Sequence, residues 1–104
     1  MRVLFVCFAN MDRSPTAEEM FKGRPDLEVM SAGISAPGGR KLTTQLVEWA
    51  DRIFVMEREQ AEYVEAMVPG AQAKVIVLEI PDIYPRNHPK LRTLLKERVT
   101  PHLP

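Results

Sequence analysis

An α/β fold, with helices covering both faces of a parallel sheet, is what this sequence predicts. Three observations carry the prediction. Val3-Leu4-Phe5-Val6 is a continuous apolar run, the pattern of a strand buried on both faces. Further short apolar runs alternate with stretches of helical periodicity, and alternation at that spacing imposes right-handed crossovers. The first run leads straight into Cys7-Phe8-Ala9-Asn10-Met11-Asp12-Arg13-Ser14, a tight loop that opens a helix. Ligands of such sheets bind beyond the carboxyl ends of the strands, so this loop stands where function is expected.

The elements follow in order. Residues 2–6 form the first strand. Ser14 suits the N-cap of the helix after the loop, Pro15 its first position, and Glu18 and Glu19 the positive end of its dipole. That helix covers 15–22, with Ala17, Met20 and Phe21 on one face, and Gly23 and Pro25 stop it. Leu27 to Ser31 alternates as a second strand, and 32–40, rich in Gly and Pro, is a loop. A second helix spans 42–50 with Leu42, Leu46, Trp49 and Ala50 inward, and a third strand spans 52–56. The next helix, about 58–68, has Ala61, Val64 and Met67 or Val68 as its stripe, with Glu57, Arg58, Glu59, Glu62 and Glu65 as a solvated face. Pro69-Gly70 ends it. Residues 74–78 are a fourth strand, 79–89 a proline-punctuated loop, and 89–100 a last helix with Leu91, Leu94, Leu95 and Val99 inward.

At 104 residues the chain is expected to be one domain, with a core large enough to need no staples. Lys plus Arg equals Asp plus Glu, so no net charge draws the protein to nucleic acid or to an anionic membrane. Any attraction for phosphate must be local. The cysteine count is one, which excludes an intrachain disulfide, a cysteine-based metal site and a dithiol redox pair. A lone thiol at a strand-to-helix turn points to a reducing compartment, the cytoplasm. The segment from Met1 to Cys7 has too short an apolar run for a signal peptide or a membrane span.

The chemistry lies in Cys7-x5-Arg13. Successive backbone N–H groups feeding a helix N-terminus suit a dianion such as phosphate, and they favour the thiolate of a cysteine at the loop's start. Five intervening residues let Phe8, Ala9, Asn10, Met11, Asp12, Arg13 and Ser14 surround three phosphate oxygens. Arg13 then returns to clamp two of them, and Cys7 is left beneath the phosphorus. Ser14 can donate to the sulfur when it leaves. The blander reading makes Cys7 a small buried strand end and Arg13 a surface cation; the buried strand before and Ser-Pro helix after weigh against it. Asp82 follows the fourth strand on the same edge of the sheet, so it can share the crevice with Cys7. His88 and Arg86, in the same loop, read as surface groups.

Val6-Cys7-Phe8-Ala9-Asn10-Met11-Asp12-Arg13-Ser14-Pro15-Thr16-Ala17-Glu18 resembles the phosphate-binding loop of the low-molecular-weight protein tyrosine phosphatases. Ser31-Ala32-Gly33 and Ala50-Asp51-Arg52-Ile53-Phe54-Val55-Met56 are similar to that family's second-strand exit and third strand. The resemblance implies a four-stranded sheet of order 2-1-3-4, a phosphocysteine intermediate and neither metal nor cofactor. It makes Cys7 the nucleophile, Arg13 the transition-state clamp, Ser14 the thiolate donor and Asn10 the residue that holds the loop's strained form. The family's general acid corresponds to Asp82 in Ile80-Pro81-Asp82-Ile83-Tyr84-Pro85, where proline precedes the aspartate instead of following it. Tyr84 would stack on an aromatic substrate, and Glu79 is the substitute acid. The chain is shorter than typical members, mostly between Gly33 and Leu46, where others carry an aromatic recognition residue and this one has none. Asp12 puts a negative side chain in the loop and is expected to face outward.

The expected function is hydrolysis of phosphate monoesters, on a phosphorylated protein or small aryl phosphate, phosphotyrosine foremost. A phosphate- or phosphoprotein-binding module without turnover is the alternative. Arsenate reduction is a lesser one, since it would have to borrow an external thiol.

Overall fold

In the computed structural model, which describes residues 1–104, four parallel strands form one sheet in the order β2-β1-β3-β4. The strands are β1 (Arg2–Cys7), β2 (Glu28–Gly33), β3 (Arg52–Val55) and β4 (Val75–Val77). The helices are α1 (Arg13–Phe21), α2 (Thr44–Trp49), α3 (Arg58–Met67) and α4 (Pro89–Val99). The fold class and the 2-1-3-4 order agree with expectation.

The two-residue period of a strand divides β1 between two cores. Val3, Phe5 and Cys7 face α1 and α4, with Phe21, Leu91, Leu95 and Val99. Leu4 and Val6 face the other way, with Val47 of α2 and Val64 of α3. The Phe5 ring stacks between Phe21 and Phe54, centroids 5.8 and 5.4 Å away. Val3 to Val6 are wholly buried, each gaining roughly 1.5–3 kcal/mol over an exposed position.

Register brings the chemistry to one edge. Cys7 pairs with Gly33, and pairing continues beyond β4 through Leu78 N–H to Val55 O at 2.8 Å and Ile80 N–H to Met56 O at 2.9 Å. The chain that follows, Pro81 to His88, is thereby delivered beside Cys7.

Several boundaries, and the buried face of one helix, depart from expectation. Helix α1 starts at Arg13, with Asp12 and not Ser14 at its N-cap position; Ser14 lies inside the first turn because its hydroxyl is turned to Cys7. Strand β2 continues to Gly33, held by Ile34 N–H to Cys7 O and by a bridge from Gly33 to Lys41. Helix α2 is shorter than expected because Thr43 caps it, accepting from Leu46 N–H at 3.2 Å. Its covered residue is Val47, while Leu46 and Trp49 are only partly buried. In α3, Gln60 joins Val64 in the buried face and Ala61 does not.

Candidate active site

The loop between β1 and α1 is shaped by Asn10, whose backbone is left-handed at φ 53°. Asparagine tolerates that conformation better than most residues. Its Nδ2 donates to Ser14 Oγ at 2.9 Å and to Ser31 Oγ at 3.0 Å, and its Oδ1 accepts from Arg40 N–H at 2.9 Å. Ser31 in turn donates to Glu18. The loop lies so close to the end of β2 that a Cβ on Gly33 would come within 2.6 Å of the Asn10 nitrogen. Gly33 is therefore required by contact with backbone, not by its own conformation.

Ser14 Oγ stands 2.9 Å from Cys7 Sγ and 3.4 Å from Ala32 O. Because Asn10 already donates to it, the single hydroxyl proton has two rival acceptors. A thiolate, which can only accept, takes that proton; a thiol releases it to Ala32. Cys7 is buried at the floor of the loop. The backbone N–H groups from Phe8 to Ser14 have no acceptor within the protein. The side chains of Phe8 and Met11 are exposed.

Arg13 is only 2% exposed. Its Nη1 donates to Glu57 Oε1 at 2.8 Å and to Ile80 O at 2.7 Å, which uses both protons of that nitrogen. The Nε–Nη2 edge remains, a fork of parallel donors suited to two phosphate oxygens. Asp82 Oδ1 lies 3.8 Å from Nε, with the side chain 61% exposed. Cys7, Ala9, Met11, Asp12, Arg13 and Asp82 together line a small cavity of about 80 Å³. Thiol, guanidinium and carboxyl thus meet.

Asp12 is not simply outward-facing. It borders that cavity, and its Oδ1 accepts from Arg86 N–H at 3.0 Å, tying the loop to the segment that carries Asp82. Tyr84 packs against the α1–α4 core with its ring 5.6 Å from His88, and it does not line the cavity. Glu79 faces a different hollow with Glu97 and Arg98. His88 caps α4, its Nδ1 accepting from Lys90 N–H, and Arg86 pairs with Glu19 at 3.6 Å. Sequence reasoning left Glu57 among the solvated charges of α3. Its position just after β3, on the same sheet edge as Cys7, was the available signal. The partnership of Ser31 and Glu18 with Asn10 was likewise missed, and residues so far apart in sequence carried no signal for it.

The chain matches the sequence pattern of the family described as low molecular weight phosphotyrosine protein phosphatase over residues 2–48. It is 32% identical to the low molecular weight protein-tyrosine-phosphatase Ptp of Acinetobacter johnsonii, covering 79% of both chains. The chain belongs to the low-molecular-weight protein-tyrosine-phosphatase family. Another relative, Wzb of Escherichia coli K12, is 29% identical over 82% of this chain and 79% of its own. Solved members of the fold include Wzb of Escherichia coli K30 in complex with phosphate, with a TM-score of 0.81 and 24% identity. That likeness covers 97% of this phosphatase-family chain and 94% of the other. The YwlE arginine phosphatase of Geobacillus stearothermophilus shares the fold at a TM-score of 0.74 and 23% identity, over 97% and 91%.

Proposed function

We propose that this family member hydrolyses phosphate monoesters, phosphotyrosine in a protein or a small aryl phosphate foremost, through a cysteinyl-phosphate intermediate. One observation carries the reading: Cys7, Arg13 and Asp82 border a single small cavity, beside backbone N–H groups that nothing in the protein uses. In the first step the loop N–H groups and the Nε–Nη2 edge of Arg13 hold the phosphoryl oxygens. The Cys7 thiolate attacks phosphorus opposite the ester oxygen, the P–O bond breaks, and the Asp82 carboxyl gives its proton to the leaving oxygen. In the second step the Asp82 carboxylate takes a proton from water, whose oxygen attacks phosphorus. The P–S bond breaks, orthophosphate leaves, and Ser14 donates to the returning thiolate. Arg13 and the loop carry the charge of both transition states.

No helix is long and apolar enough to cross a membrane. With its single unpaired thiol the enzyme is read as cytoplasmic.

The test is turnover of p-nitrophenyl phosphate against pH, with chelator present, for wild type, Cys7→Ser and Asp82→Asn. Cys7→Ser should fall to background. Asp82→Asn should lose roughly 10²-fold, the lower end for a general acid because nitrophenolate leaves readily, together with the limb on which activity declines at high pH. Wild type that binds phosphate but turns nothing over would leave a binding module and end the enzymatic reading.

A further inference from the structure

A larger cavity, about 340 Å³, adjoins the phosphate-sized one and shares Arg13 and Asp82 with it. It opens between the Cys7–Ser14 loop and α3, and its size is at the low end for a small-molecule site. Two kinds of residue wall it. Phe8, Ile34 and Tyr63 supply apolar surface, with the aromatic pair 55% and 39% exposed. Glu57, Glu59 and Asp82 supply carboxylates, and Arg13 is the only cation on the lining.

The charge balance of this cavity changes when the neighbouring one fills. Bound phosphate takes the free edge of Arg13, and Glu57 already holds the other. Glu59 then faces the space with no cation of the protein's own, Asp82 being protonated as the acid of the first step. Aromatic faces beside an unbalanced carboxylate suit a long basic side chain, whose methylenes pack on Phe8 and Tyr63 while its head meets Glu59.

We propose that this cavity is a substrate subsite that receives an Arg or Lys side chain next to the phosphotyrosine, with Tyr63 and Glu59 as its specificity-determining residues. The inference rests on the phosphatase reading above and adds the substrate's sequence context. It also locates a recognition wall on α3 and the loop, where the shortened 34–46 segment contributes only Ile34 to the cavity.

The experiment compares kcat/KM on two phosphotyrosine peptides that differ only in Arg or Glu beside the phosphotyrosine, with p-nitrophenyl phosphate alongside. Wild type should prefer the Arg peptide about tenfold, the combined scale of one cation–π contact and one partly exposed ion pair, and the preference should shrink in high salt. Glu59→Lys should abolish or reverse the preference, and Tyr63→Ala should cut it to about threefold or less; each ratio is internal to its variant, so a general loss of activity cancels. Wild type that hydrolyses p-nitrophenyl phosphate yet treats both peptides alike overturns the subsite and leaves the phosphatase standing. A preference that survives both substitutions overturns it too. Wild type that hydrolyses none of the three overturns the phosphatase reading, and this one with it.

Discussion

A left-handed backbone costs most L-residues about 1–2 kcal/mol, and at Asn10, φ 53°, the side chain supplies three hydrogen bonds in return. Asn10→Ala would keep the strain and lose the bonds. It should destabilise by about 2 kcal/mol, roughly 8–16 °C in thermal midpoint for a chain of this size. Asn10→Gly, free to adopt the conformation, should recover about half, and calorimetry separates the two. A fall of only a degree or two in the alanine variant would mean the network is ornamental. Glu57 poses a different question, because it positions Arg13 through Nη1 while its negative charge opposes phosphate at the other edge. Glu57→Ala should lower kcat about tenfold, the guanidinium no longer being held for the transition state. Glu57→Gln keeps an acceptor while removing the charge, so it should retain most of kcat and lower KM; steady-state kinetics reads the split. The motif residues Cys7, Arg13 and Ser14 were legible in sequence because one loop contains them all. Their supports were not: Ser31, Arg40 and Glu57 come from other elements, and no local pattern distinguishes a supporting glutamate from a solvated one.

Between elements, the segment carrying Asp82 is tied to the start of α1. Asp12 accepts from Arg86 N–H at 3.0 Å, and Thr16 Oγ1 accepts from Asn87 N–H at 2.9 Å. Asp12→Ala frees that tie and also removes a negative charge from the cavity that would take phosphate. It should lower KM and at the same time lower kcat severalfold, more on phenyl phosphate than on p-nitrophenyl phosphate, whose better leaving group leans less on the acid. Asp12→Asn keeps the acceptor, so only KM should fall. An unchanged kcat on phenyl phosphate in the alanine variant would mean the tie does not position Asp82. A second junction closes α3. Glu65 accepts from Gly70 N–H at 2.7 Å and Gln72 N–H at 2.9 Å, and those bonds hold its carboxyl below the ordinary glutamate range. A carboxyl whose folded value is lowered contributes fully above its unfolded value, and the contribution drains as pH falls. The thermal midpoint of wild type should therefore decline below about pH 4.3, and Glu65→Gln should flatten part of that decline. Periodicity revealed every α-helix and strand, yet not the short 3-10 turns at Ala71–Lys74 and Thr100–His102 or every element end. Nothing local told Ser14 from a cap, whereas Thr43, which caps α2 and starts it at Thr44, was a local signal passed over.

At the level of the whole molecule, strand order made the site. Cys7, Gly33, Glu57 and the Asp82 segment come from four connections that a parallel 2-1-3-4 sheet collects on one edge, the general rule for open α/β sheets. That much was legible, because alternating elements prescribe a parallel sheet and the motif names its active edge. The two adjoining cavities were not, since they depend on how α3 leans toward the loop. If the edge is a preformed anion site, phosphate must bind the folded chain and not the unfolded one, and stability must then rise with phosphate concentration. At ten times Kd the linkage amounts to about 1.4 kcal/mol, or roughly 6–11 °C in thermal midpoint. The Cys7→Ser variant, which has no turnover to complicate the reading, should show the shift with orthophosphate and not with chloride at equal ionic strength. Arg13→Lys supplies one ammonium where the guanidinium offers two parallel donors, so at the same phosphate concentration its shift should be a fraction of the parent's. Equal shifts in both variants would mean that phosphate binds elsewhere, and a midpoint that ignores phosphate in Cys7→Ser would mean that the loop is not preformed for an anion.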